Sequence, residues 1–179
     1  MQTFEIKDLL LINPRIFEDD RGLFYESFNE RKYNEIFGSE INFVQDNISL
    51  SKKNVLRGLH FQKPPFAQGK LVTVLKGSVL DVAVDLRKNS VTYGKYEIVE
   101  LSDKNKLQFW IPPGFAHGFC ALEDDTIFSY KCSNYYSPEH EETIMWNDPE
   151  LSIDWKIINP IVSEKDKIGK DFNTFVSQF

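Results

Sequence analysis

From Lys70 to Tyr136 the chain is a succession of short apolar or alternating segments: KLVTVLKGSVLDVAVDL, YGKYEIVEL, KLQFWIP, GFCALE and TIFSYKCSNYY. Each is cut off by Gly, Pro or a polar cluster. Short strands at this spacing point to a β-sandwich or barrel and away from a parallel βαβ sheet. Lys76-Gly77, with apolar runs on both sides, reads as a turn and predicts a hairpin. Only SFNERKYNEIFG, residues 27–38, has helical spacing, with Phe28, Tyr33, Ile36 and Phe37 on one face and Gly38 as its stop. After Trp155 the chain becomes Pro-containing and charged. SEKDKIGKDFNTF has weak helix potential, and the tail is expected to pack on the barrel edge. No repeat, low-complexity stretch or linker interrupts the 179 residues, which fit one domain, 1–179. A content of 41% hydrophobic and 14% aromatic residues supplies its core.

The formal net charge of -6 argues against nucleic-acid or anionic-membrane partners, which need a basic face. A small basic pocket for one diphosphate would not show in that total. Two cysteines, Cys120 and Cys132, make neither a disulfide framework nor a zinc ribbon, which suits a reducing compartment. The first residues lack the basic n-region and cleavage site of a signal peptide, and no apolar run is long enough to cross a bilayer. The expectation is a cytoplasmic protein.

The chain has three histidines, and two stand in unusual company: His60 in VLRGLHFQKPP and His117 in WIPPGFAHGF. An isolated His117 would be a satisfied core or rim histidine. His60 has Arg57 three residues before it and Lys70 ten residues after. A regular strand places Arg57 and His60 on opposite faces, but a bulge at Gly58 would re-aim them.

The run Pro112-x-Gly114-x-x-His117 resembles the second conserved box of the cupin superfamily of small β-barrels. Metal-binding cupins carry a His-x-His pair in their first box, whereas this chain has His60-Phe61-Gln62, and no Cys/His spacing suits zinc. No metal is expected. The resemblance then becomes specific. FEDDRGLFYESF (17–28), QDNIS (45–49), VLRGLHFQKPP (55–65), GKLV (69–72), GSVLDVAVDLRKNSVTYG (77–94), WIPPGFAHGF (110–119), SYKCSNYYSPEHE (129–141), WNDP (146–149) and SEKD (163–166) cover most of the chain. They resemble, in order, the dTDP-4-dehydrorhamnose 3,5-epimerase family, whose members are cupin-type jelly-roll β-barrels with short peripheral helices.

The resemblance implies a dTDP-linked 4-keto-6-deoxy sugar as substrate, no cofactor, and proton exchange at C3 and C5 beside the C4 ketone. His60 would be the base, a role suited to the side chain whose ordinary pKa lies nearest neutrality. Asp166 would fix its tautomer and favour the imidazolium. Lys70 would face the enolate oxygen, where one well-aimed donor is worth roughly 3–4 kcal/mol. Tyr130 would return a proton from the opposite face. Read without the resemblance, Asp166 is a helix cap or a solvated charge, Tyr130 is a barrel-lining ring, and Lys70 is a strand lysine facing water unless register turns it inward, since it opens a strongly apolar strand. Arg57 would contact the diphosphate. Arg21, Phe24 and Glu26 would reach the nucleotide from the neighbouring subunit of a homodimer whose N-terminal strands cross. Gln45 and Asn47 match a polar nucleotide-binding strand, His117, Glu141 and Lys165 match further contacts, and thymine stacks on Tyr135 or Tyr136. Three other readings compete: an epimerase inverting one centre or acting on a related keto-sugar, a metal-dependent cupin, and a sugar-binding barrel without catalysis.

Overall fold

The computed structural model describes residues 1–179. The chain opens with β1 (Gln2–Thr3), β2 (Leu10–Ile12) and a hairpin of β3 (Ile16–Asp19) and β4 (Gly22–Tyr25), followed by helix α1 (Glu30–Phe37). Eight longer strands follow: β5 (Gln45–Ser51), β6 (Val55–Gln62), β7 (Lys70–Lys76), β8 (Ser78–Asp85), β9 (Tyr96–Ser102), β10 (Gln108–Ile111), β11 (Phe115–Ala121) and β12 (Thr126–Cys132). Short β13 (Glu141–Thr143) and β14 (Ile161–Val162) precede two 3₁₀ turns, Asp166–Ile168 and Phe172–Thr174.

These strands form two facing sheets, β1-β2-β10-β7-β12-β5 and β13-β6-β11-β8-β9, with β14 added in parallel to β6. This is the expected jelly roll. Alternation along each strand then builds three layers of core. Val72 and Val74 of β7, Val79 and Ala83 of β8, Phe115 and Phe119 of β11, and Phe128 of β12 point between the sheets. On the outer face of the second sheet, Val82, Val84, Ala116 and Cys120 are covered by Trp155 and Phe175. On the outer face of the first sheet, Leu71 and Trp110 meet Tyr33 of α1. Each fully buried large side chain, such as Phe128, stabilises the fold by roughly 1.5–3 kcal/mol.

The hairpin predicted at Lys76-Gly77 is not one. β7 pairs with β10 and β12, whereas β8 pairs with β11 and β9, so the chain there crosses from one sheet to the other. Both strands are apolar on both faces because each carries a packed layer on either side: beyond the shared core, Leu71 of β7 packs with Tyr33 of α1, and Val82 and Val84 of β8 pack with Trp155 and Phe175. Gly77 makes the crossing with φ +78, packed where a Cβ would lie 2.6 Å from the Thr126 hydroxyl.

The helix begins later than its apolar spacing suggests. The Ser27 carbonyl accepts from Gln108 Nε2 (2.7 Å) and Tyr33 Oη (3.2 Å), and Asn29 takes the cap by accepting from Lys32 N at 3.2 Å. Phe28 sits just outside and packs on Tyr33, ring centroids 5.1 Å apart, as a hydrophobic staple. Gly38 ends the helix as expected.

The tail forms no α-helix. Lys170 donates to Thr143 O (2.8 Å) and accepts from Met145 N (3.0 Å), which pulls the chain straight between the two 3₁₀ turns. Nor does the tail stop at the barrel edge: β14 lengthens the second sheet, and Phe172, Phe175 and Phe179 cover that sheet's outer face.

Candidate active site

A bulge in β6 creates the first half of the site. Against β11, His60 lies opposite His117 and Arg57 opposite Phe119, so three steps on β6 match two on its partner. Gly58 occupies the bulge with φ +135, and a Cβ there would lie 2.6 Å from Gly118 Cα. The bulge places Arg57 and His60 on the same cavity wall, as expected from the sequence. His60 Nε2 is 2.5 Å from Asp166 Oδ1, and Gly58 N donates to Asp166 Oδ2 at 3.4 Å. Burial alone would raise the Asp166 pKa, but the hydrogen bond from His60, its charge, and donors from Gly58 and Ser163 hold it below the usual carboxylate range. An ionised carboxylate only accepts, so Nε2 carries the proton and Nδ1 is the nitrogen free to take another.

The facing sheet supplies the second half. Strand register settles the orientation of Lys70: it shares the inward face of β7 with Val72 and Val74. Its ammonium pairs with no carboxylate, and burial lowers its pKa while Cys132, Asp81 and Glu141 oppose that shift. Tyr130 of β12 packs beside Phe128, and burial raises its pKa. His60, Lys70 and Tyr130 border two adjoining cavities of about 290 and 280 Å³, compartments of a single cleft. Together these reach the size of an ordinary small-molecule site, ~300–1,000 Å³.

The first compartment adds Arg57, His117, Lys165, Ser49 and Ser163, a concentration of cations in a chain of net charge -6. Arg57 Nε is steadied by Ser51 Oγ at 3.2 Å. The second compartment adds Gln45, Asn47, Tyr136 and Glu141. Glu141 is bound by Lys165 Nζ at 2.5 Å and by the Tyr136 hydroxyl at 2.6 Å; burial pushes its pKa up, and these two partners bring it below normal. Of the two candidate stacking tyrosines, Tyr136 borders the cleft and Tyr135 does not. Arg21, Phe24 and Glu26 are also outside it. The first two line a separate exposed pocket on the β3–β4 hairpin, and Glu26 pairs with Lys32 at 2.8 Å.

Sequence reasoning passed over Ser49 and Asp81. Ser49 Oγ is a buried hydroxyl without a partner on the cleft wall. Asp81 was visible as a lone acid inside SVLDVAV. Gln62, standing where a metal cupin has its second histidine, is committed to loop backbone: Nε2 donates to Phe66 O and Tyr135 O, and Oε1 accepts from Ser137 N. No group of three His, Cys, Asp or Glu side chains converges anywhere in the chain. A larger cavity of about 590 Å³ between α1 and Pro112-Pro113 is lined by no histidine, and its one carboxylate, Asp8, is paired with Arg87, which Asp85 also holds.

A jelly roll with a carboxylate-backed imidazole on one wall and an ammonium and a phenol on the other defines a cupin-type enzyme of the proton-transferring, isomerase class. The family described as dTDP-4-dehydrorhamnose 3,5-epimerase matches residues 3–174, and the chain belongs to it. It is 55% identical over 164 residues to the dTDP-4-dehydrorhamnose 3,5-epimerase of Escherichia coli K12, covering 91% of this chain and 89% of that one. The crystal structure of dTDP-6-deoxy-D-glucose-3,5-epimerase RmlC from Legionella pneumophila, in complex with dTDP-4-keto-L-rhamnose, superimposes with TM-score 0.93 at 50% identity, covering 97% and 93%. ChmJ of Streptomyces bikiniensis, described as a 3'-monoepimerase and bound to dTDP-quinovose, superimposes with TM-score 0.92 at 31% identity, covering 97% and 88%.

Proposed function

We propose that this chain is a cofactor-independent 3,5-epimerase that converts dTDP-4-dehydro-6-deoxy-D-glucose to dTDP-4-dehydro-L-rhamnose. The observation that carries the reading is His60 on one sheet, backed by Asp166 of the tail, facing Lys70 and Tyr130 on the other sheet across one cleft. A sugar ring lying between the sheets meets a base on one face and an acid on the other, which is what inversion requires. His60 Nδ1 takes the C3 proton, and the C–H electron pair moves into an enolate whose O4 faces the Lys70 ammonium. The Tyr130 hydroxyl gives its proton to C3 from the far side. The phenolate regains a proton and the imidazolium loses one to solvent, and the same cycle follows at C5. Arg57 and Lys165 hold the diphosphate, and Gln45, Asn47, Tyr136 and Glu141 hold the nucleoside. His117 contacts the sugar.

Incubation with the keto-sugar nucleotide in D₂O tests this. Deuterium at both C3 and C5 is expected; label at C3 alone makes the chain a monoepimerase, and none defeats both readings. The structural likeness to ChmJ makes the monoepimerase reading the one to exclude. Tyr130→Phe should impair inversion at C5 more than proton loss at C3, and equal loss at both contradicts its role.

We further propose that the chain, one domain throughout, works in the cytoplasm as a homodimer. Two buried free cysteines suit a reducing compartment. The β3–β4 hairpin exposes Phe17, Leu23 and Phe24, and β5, at the edge of its sheet, exposes Ile48 (70%) and Leu50 (64%). Such edges are ordinarily covered, and a partner's hairpin crossing there would bring Arg21, Phe24 and Glu26 toward the cleft. Sedimentation should give a dimer. Inactive His60→Ala mixed with Arg21→Ala should regain activity, because one site of each mixed dimer would hold both native residues. A fully active monomer, or no recovery on mixing, contradicts strand exchange.

A further inference from the structure

Asp81 has no part in the chemistry above, yet it is the most deeply buried charge beside it. It lies in the middle of β8, between Val99 of β9 and Phe119 of β11, and is fully enclosed. Its inward-facing neighbours on β8 are Val79 and Ala83. Its only hydrogen-bond partner is His117 Nε2, 3.0 Å from each carboxylate oxygen. An ionised carboxylate only accepts, so Nε2 carries the proton and the ring is held in one tautomer on the cleft wall. Buried pairs of this kind can often be replaced by apolar residues at no cost in stability, so a contribution to stability is a poor reason for this one. The groups facing this part of the barrel are Lys70 from β7, Tyr130 and Cys132 from β12, His60 from β6 and Glu141 from β13.

Building on the epimerase reading, we propose that Asp81 is a positioning residue for proton transfer: it fixes the His117 ring on the cleft wall and, from the same barrel interior that Lys70 faces, adds a buried negative charge that favours the lysine's ammonium form. Burial pushes Lys70 and His117 toward their neutral forms, and Asp81 opposes both shifts. Asp81→Asn preserves shape and removes the charge.

In the ligand-free variant, NMR titration should place the His117 imidazole and Lys70 ammonium midpoints lower than in the native protein, Lys70 by about one pH unit. In the exchange assay the alkaline limb of the rate profile should move down with Lys70, giving about a tenfold loss on that limb. Unchanged midpoints and an unmoved limb overturn the proposal. Asp81→Glu, which keeps the charge, should hold both midpoints and the limb near native values, and it carries the test if Asp81→Asn does not fold; a Glu variant titrating as though uncharged at that position also overturns it. A native protein inert toward the keto-sugar, with midpoints that still move in Asp81→Asn, defeats the epimerase reading and not the electrostatic role of Asp81.

Discussion

His60→Ala is expected to lower deuterium uptake at C3 and C5 together by at least about 10³-fold, since a positioned general base contributes roughly 10²–10⁴ and His60 is the more open of the two carboxylate-backed histidines on that wall, its side chain 27% exposed against 8% for His117. His117 also borders the cleft and is backed by Asp81 as His60 is by Asp166, but it is buried and burial lowers its pKa, which disfavours the imidazolium a base must become. Asp166→Asn should approach the same loss by another route. The asparagine amide donates where the carboxylate accepted, which turns the His60 tautomer over and leaves Nδ1 protonated when it must take a proton. Single-turnover measurements in D₂O separate the cases: binding stays near native in both variants and the exchange step falls. Exchange surviving in His60→Ala at one carbon only would assign the two centres to different bases and break the proposed mechanism.

The residues carrying this argument were legible in the sequence to different degrees, and the reason is physical. Gly58 between Arg57 and His60 pointed to a bulge because an interior strand glycine marks close backbone approach, and the backbone of β11 is what approaches. The orientation of Lys70 was a question of register, which local pattern leaves open when a strand is apolar on both faces. That double-sided burial is also why Lys76-Gly77 looked like a hairpin. Alternation describes each strand but not which strands it pairs with, so a crossing between sheets and a turn within one look alike. The helix face was readable, whereas its start depended on Gln108, some 80 residues away, taking the Ser27 carbonyl. Asp166 could not be distinguished from an ordinary capping acid until the tail was placed beside β6, because its partner is 106 residues distant.

Lys70→Met should slow exchange at C3 and C5 by comparable factors, about 10²–10³, because both carbanions share one enolate oxygen and a lost oxyanion donor costs roughly 2.7–4 kcal/mol. That distinguishes it from Tyr130→Phe, which should impair inversion at C5 more than proton loss at C3. The sign of the pH dependence follows from the buried ammonium. The Lys70 pKa lies below its ordinary 10.5, and the charged form that stabilises the enolate is lost as pH rises through it. Burial moves Tyr130 in the opposite direction, above its ordinary 10.0, so proton loss is advanced at the lysine and deferred at the tyrosine. The native rate should therefore fall on the alkaline side as Lys70 loses its proton. Lys70→Met should lack that limb, and Lys70→Arg, which stays charged at any accessible pH, should retain part of the rate with the limb displaced upward. A limb at the same pH in all three proteins would take the enolate role away from Lys70 and leave the positive end of the cleft to Arg57 and Lys165.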